Sequence, residues 1–159
     1  MKILIVSDTH GHLSNFREVI KKVSPIDMLI HCGDVEGQED SIKSLAGCEC
    51  HIVSGNNDYF SDLPREDEFR IGEHKAFLTH GHSYGISMGC DRIVEEALSR
   101  EADLVFCGHT HRPEKSIIDG VRVYNPGSLS YPRQEGRNPS YMILELDPEG
   151  KVFCNVFYL

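Results

Sequence analysis

The sequence predicts an α/β fold: two stacked mixed β-sheets flanked by helices, a four-layer α/β/β/α sandwich in a single domain over residues 1–159. Two observations carry that expectation. The front of the chain alternates short apolar runs with stretches of helical period, the pattern of a parallel sheet with right-handed crossovers. The back half holds further strand-like runs separated by hairpin and turn signals, which reads as mostly antiparallel. Helical period appears only three times, so two sheets packed face to face, with helices on the outer faces, would use every element.

The elements follow in order. Lys2 to Val6 is an apolar strand that ends at Ser7-Asp8-Thr9-His10-Gly11-His12. Phe16, Val19, Ile20 and Val23 form one helical face, and Ser24-Pro25 stops it. Met28 to Asp34 is an apolar run ending at Gly33-Asp34. A short helix follows, with Ile42, Leu45 and Ala46 inward and Gly47 as its stop. Cys50 to Ser54 is the third strand and runs into Gly55-Asn56-Asn57-Asp58. Tyr59 to Asp67 reads as a polar connection. Phe69–Ile71 and Lys75–Thr79 are strands joined at Gly72, the second leading into His80-Gly81-His82. Cys90, Ile93, Val94, Ala97 and Leu98 make the clearest helical stripe. Leu104 to Cys107 is a strand ending at Gly108-His109-Thr110-His111. Strands over Lys115–Ile118, Val121–Tyr124, Tyr141–Leu146 and Val152–Tyr158 complete the chain, with turns at Asp119-Gly120 and Pro148-Glu149-Gly150.

Composition narrows the function. The formal charge is -9, from 25 acidic and 16 basic residues, which argues against a surface that holds nucleic acid by phosphate neutralisation. No apolar run approaches the ~20 residues that cross a bilayer. The N-terminus has no signal-peptide core, and the six cysteines include no Cys-x-x-Cys pair. Reduced thiols and a cytoplasmic location are expected.

The chemistry concentrates at strand ends. Asp8/His10, Asp34, Asn56/Asp58, His80/His82 and His109/His111 each follow a predicted strand. In open α/β sheets the ligand site lies beyond the carboxyl ends of the strands, so the fold delivers these clusters to one edge. Each has a plainer reading alone: Asp34 as a cap or turn residue, a His pair as polar loop chemistry. Convergence of all five is hard to obtain from loop composition. Carboxylate, imidazole and amide oxygen suit Mn, Fe, Zn or Ni, and the donors are too many for one ion. Two ions roughly 3.5–4 Å apart would lower the pKa of a bridging water and clamp a phosphoryl oxygen for in-line attack.

These motifs, in this order, resemble those of the calcineurin-like metallophosphoesterases, from Ile3 to about Leu146. The short chain and Asn125-Pro126-Gly127-Ser128 resemble the small bacterial and archaeal phosphodiesterase branch, to which the retromer sorting subunit is related. The resemblance implies one metal on Asp8, His10 and His111, another on Asn56, His80 and His109, and Asp34 bridging. It implies a small phosphodiester substrate, hydrolysed by a hydroxide bridging two divalent ions, with manganese the first choice. Larger members carry a proton-donating His where this chain has Asn57, and an amide donates no proton near neutral pH. Modest activity on esters with good leaving groups is therefore expected. His12 or His82 could serve as the acid, though orienting a ligand is the plainer role for either. Asp58, which would orient the missing His, gains weight as a turn or cap residue.

Arg133 and Arg137 could reach a substrate phosphate, but a solvated loop is the plainer reading. His31 is expected to pack at a strand end, and His51 and His74 to lie at the surface. A homodimer through an open sheet edge is a further expectation. The competing readings are a binding scaffold like the retromer subunit, a nuclease and a phosphomonoesterase. The tight His-x-His-x-Asp-His run of the β-lactamase-type metallohydrolases is absent.

Overall fold

The computed structural model describes residues 1–159. The chain runs β1 (Lys2–Val6), α1 (Ser14–Val23), β2 (Met28–His31), α2 (Glu39–Ala46), β3 (Glu49–Ile52), β4 (Glu66–Ile71) and β5 (His74–Thr79). Two short 3-10 turns follow, His82–Tyr84 and Ile86–Met88. Then come α3 (Asp91–Ser99), β6 (Leu104–Phe106), β7 (Pro113–Ile118), β8 (Val121–Pro126), β9 (Ser140–Leu146) and β10 (Val152–Tyr158).

Two five-stranded mixed sheets form, in the orders β10-β9-β1-β2-β3 and β4-β5-β6-β8-β7. In the first, β1, β2 and β3 are parallel, with Ile3 opposite Met28 and Met28 opposite Glu49. β9 and β10 add antiparallel, so the C-terminal hairpin returns to the sheet where the chain began. In the second, β5, β6 and β8 are parallel while β4 and β7 are antiparallel edges. The expectation of a mostly antiparallel back half therefore misses a parallel centre, made by the α3 crossover and by β8 pairing beyond its own hairpin partner.

Alternation along the strands sorts the apolar residues into three layers. Ile3 and Ile5 of β1 meet Leu78, Leu104 and Phe106 between the sheets. Leu4 and Val6 face the other way, onto Phe16, Val19 and Ile20 of α1 and Ile42 of α2. Phe77 and Val105 of the second sheet face Ile93, Val94 and Ala97 of α3. Four structural layers thus enclose three apolar ones.

Local chemistry sets the ends. Gly47 closes α2 in the left-handed region at φ 62°. β2 stops at His31 rather than reaching Asp34, because Gly33 and Asp34 turn to φ 101° and 55°. Part of the polar connection before Phe69 is strand, since Glu66 and Asp67 pair with Thr79 and Leu78. Leu98 is 47% exposed rather than part of the inner stripe, lying about a quarter-turn from the centre of the Ile93/Val94/Ala97 face. His51 and His74 are half-buried rather than surface residues, because Asp67 and Asp103 bind them at 2.7 and 2.5 Å. His31 is fully buried at its strand end. All six cysteines are free. No helix is long and apolar enough to cross a membrane.

Candidate metal centre

The loops after β1, β2, β3, β5 and β6 meet along one edge spanning both sheets. Backbone bonds tie them together: Asp8 N to Gly33 O (3.0 Å), His10 N to Asp34 O (2.9 Å) and Gly108 N to His80 O (3.1 Å). The approach is close enough to need glycine. A Cβ at Gly33 would lie 2.7 Å from His80 Nδ1, and one at Gly55 would collide with the Asp34 carboxylate. The loop after β8 seals the floor, where Ser128 Oγ donates to Asp8 O at 2.9 Å and Ser130 Oγ to Thr9 O at 2.7 Å.

Seven donors converge there. Asp8, His10, Asp34 and His111 place one ligand atom each within 4.8 Å of one another. His111 Nε2 is 3.0 Å from Asp8 Oδ1 and 3.2 Å from His10 Nε2. His10 Nε2 is 3.8 Å from Asp8 Oδ1 and 3.7 Å from Asp34 Oδ2. On the other side of Asp34, His80 Nε2 lies 3.6 Å from Oδ2. Asn56 Oδ1 is 3.1 Å from that nitrogen and 2.9 Å from His109 Nδ1. Asp34 therefore stands between two groups, Asp8/His10/His111 and Asn56/His80/His109.

Hydrogen bonds outside the cluster orient the rings. Nδ1 of His10 meets Glu36 Oε1 at 2.7 Å, that of His80 meets Cys32 O at 2.7 Å, and that of His111 meets Tyr131 O at 2.7 Å. Acceptors at Nδ1 place the proton there and leave Nε2 as a bare lone pair pointing inward. Three such lone pairs face two carboxylates that are 0% and 1% exposed. No Lys or Arg pairs with either carboxylate, and Asp8 Oδ1 has no hydrogen-bond partner. Converging lone pairs and uncompensated buried anions fit bound cations.

The electrostatics agree. Burial alone would raise the Asp8 carboxyl, but His111, His80 and Ser7 outweigh it and hold it below the ordinary value. Burial alone would lower His111, but Asp8 and the Tyr131 carbonyl outweigh it and raise it. Burial and the neighbouring His80 lower both His109 and His82.

Asn57 and His12 sit differently. Asn57 donates to Asp34 through both N (2.9 Å to Oδ1) and Nδ2 (2.7 Å to Oδ2), so it touches the central carboxylate. His12 lies outside the cluster, with Nε2 3.1 Å from the Tyr131 hydroxyl. Asp58 braces the loops: its carboxylate accepts from Val35 N, Glu36 N and Gly55 N at 3.1, 2.6 and 2.7 Å. Sequence reasoning did not find Glu36 or Tyr131. Only the strand-end position of Glu36, two residues past Asp34, gave a signal for either.

The calcineurin-like phosphoesterase superfamily domain matches residues 1–149. The chain belongs to this superfamily. It is 33% identical over 150 residues to the probable metallophosphoesterase YsnB of Bacillus subtilis, covering 92% of this chain and 85% of that one. It is 34% identical over 145 residues to the phosphodiesterase MJ0936 of Methanocaldococcus jannaschii, covering 80% and 83%. Among solved structures, a predicted phosphoesterase of Streptococcus pneumoniae superposes with a TM-score of 0.81 at 27% identity, covering 99% and 97%. A Vps29 variant of Entamoeba histolytica superposes with a TM-score of 0.79 at 25% identity, covering 100% and 99%. The two-sheet sandwich is the superfamily's fold, and the Asp/His cluster suits its metal dependence.

Proposed function

We propose that this superfamily member is a phosphodiesterase working with two divalent transition-metal ions, manganese first and nickel, iron or zinc as alternatives. The carrying observation is the pair of buried carboxylates, Asp8 and Asp34, ringed by four imidazoles and one amide oxygen with no Lys or Arg to neutralise them. Asp8, His10 and His111 would hold one ion, Asn56, His80 and His109 the other, and Asp34 both. Such a pair supplies a water of lowered pKa and a clamp on phosphoryl oxygens when bound.

The chain's own residues shape the rest. Glu36, Cys32 O and Tyr131 O fix the ring orientations, so the site is organised before substrate arrives. Asn57, already against Asp34, can turn its amide to a phosphoryl oxygen but supplies no proton. Burial and the neighbouring His80 lower His82 below the ordinary imidazole value. Leaving groups that depart without protonation are therefore preferred. Similarity to a protein named as a phosphodiesterase supports diesters over monoesters.

The test is a panel of phosphomonoesters, phosphodiesters and cyclic nucleotides with protein reconstituted in Mn, Ni, Zn or Fe. Turnover of activated diesters, with two ions per chain by metal analysis, is expected. No hydrolysis under any metal would favour a scaffold instead, the reading that the likeness to Vps29 raises.

A further inference from the structure

A depression of about 580 Å³ opens beside the metal centre, lined by Arg112, Ser130, Tyr131, Pro132, Arg133 and Arg137. Three arginines line one hollow, on a chain of net charge -9, and no acidic residue lines it. None of the three guanidinium groups makes a salt bridge or a hydrogen bond, Arg112 bonding Thr110 Oγ1 only through its backbone, whereas Arg100 binds Glu66, Glu68 and Glu96. Three cations without protein partners around one hollow leave their donors free for an anion.

The hollow is strapped to the candidate centre. Arg133 N donates to His111 O at 2.9 Å, and Tyr131 O accepts from His111 Nδ1 at 2.7 Å. Ser130 Oγ donates to Thr9 O at 2.7 Å, and the Tyr131 ring lies 5.2 Å from that of His10. Arg137 is held at φ 47° by the turn in which its N donates to Gln134 O at 3.1 Å. The loop backbone is thus fixed to two candidate ligand residues, while Arg133 and Arg137 are exposed, as the expectation of a solvated loop has it.

We propose that this hollow is a second anion subsite, and that the preferred substrate is a phosphodiester whose retained organic group, the one that does not leave, carries a further phosphate. Planar guanidinium forks suit phosphate oxygens, and three together suit a dianion. The half-exposed Tyr131 ring offers a face for the group that links the two phosphates. The inference rests on the phosphodiesterase reading and specifies its substrate class.

Two thymidine diesters with the same leaving group separate the ideas. One is the 4-nitrophenyl ester of thymidine 5′-phosphate, and the other carries an added 3′-phosphate. With manganese-loaded protein, the 3′-phosphate should lower KM on the order of tenfold to a hundredfold. In Arg133→Gln and Arg137→Gln the KM ratio between the two esters should fall toward one, and Arg133→Lys should restore part of it. A ratio near one in the unaltered protein, or a ratio unchanged in both Gln variants, overturns the subsite. If neither ester is hydrolysed, the phosphodiesterase reading fails, and a binding arm decides the subsite separately. Calorimetry in EDTA with metal-free protein should show thymidine 3′,5′-bisphosphate binding at least tenfold tighter than thymidine 5′-phosphate, with the difference lost in Arg133→Gln. Equal affinities there overturn the subsite whatever the activity.

Discussion

Asp58→Ala tests how the loops around the candidate metal centre are held. One carboxylate ties the loop carrying Asp34 to the loop carrying Asn56, through N–H groups of Val35, Glu36 and Gly55. The Glu36 bond is exposed, so water replaces it after the substitution. The Val35 and Gly55 bonds are partly buried, and each donor left without its charged acceptor costs roughly 1–3 kcal/mol. Together they destabilise the metal-free protein by about 3 kcal/mol, with the range set by how far water follows the truncated side chain. At roughly 2–4 °C per kcal/mol for a chain of this size, Tm in EDTA should fall by about 6–12 °C. Loosening what positions Asp34 and Asn56 should also weaken metal binding roughly tenfold to a hundredfold in a calorimetric titration with manganese. Asp58→Asn keeps one acceptor oxygen and should recover about half of the lost stability. A Tm within about 2 °C of the unaltered protein, with unchanged manganese affinity, would refute the brace.

Asp34→Asn keeps a residue that tolerates φ 55° but removes the central charge. Manganese at a hundred times its Kd should raise the unaltered protein's stability by about 2.7 kcal/mol and the variant's far less, with turnover lost; equal thermal shifts would sink the bridging role. Asn57→His should raise kcat on a diester with a poor leaving group more than on a 4-nitrophenyl ester; an unchanged ratio would mean that protonation does not limit the rate. His31 is buried, accepts from Gly33 N at Nδ1 (3.2 Å) and contacts Thr9 Oγ1 at Nε2 (3.1 Å), and burial pushes it down to about 4. Its folded pKa is below its unfolded one, so the unfolded chain takes up a proton first as pH falls below about 6.5, and stability drops until about 4. Between pH 7 and 5 this amounts to about 2 kcal/mol by urea unfolding, and His31→Gln should remove that part of the slope. An identical slope in the variant would exclude His31 as its source.

The donors were legible because a parallel sheet delivers its strand ends to one edge, and Asp8, Asp34, Asn56, His80 and His109 each follow a strand with simple apolar patterning. The continuous apolar run of β1, buried on both faces, and the stripe of α1 likewise carried over into the layers they fill. What was illegible depends on contacts far apart in sequence. His51 and His74 find Asp67 and Asp103 across the fold, and neither pairing has a local signature. Glu36 and Tyr131 act through a carboxylate and a backbone carbonyl that only the assembled site turns toward a ring. The parallel centre of the second sheet was hidden because β8 bonds to its hairpin partner β7 on one side and to β6 on the other. A hairpin in sequence shows only the first of these neighbours.

Backbone conformation adds to the case for a metal site, since five of the nine non-glycine residues at positive φ are candidate ligands. Asp8, His10, Asp34, His109 and His111 all have positive φ, between 46° and 70°. For residues with a Cβ the left-handed region costs on the order of 1 kcal/mol each, less for Asp and His than for bulkier types. A chain needing only turns could put glycine at these positions, as it does at Gly33 and Gly127. Nor does Asp34 serve as a cap, since α2 begins after Gln38 and has no side-chain cap bond. Five candidate ligands held in a costly conformation, with Ser128 and Ser130 bonded to the backbone around Asp8, form a site organised ahead of its ligand. The strain therefore marks this edge as built around a ligand, which is what the proposed metal-dependent phosphodiesterase requires of it.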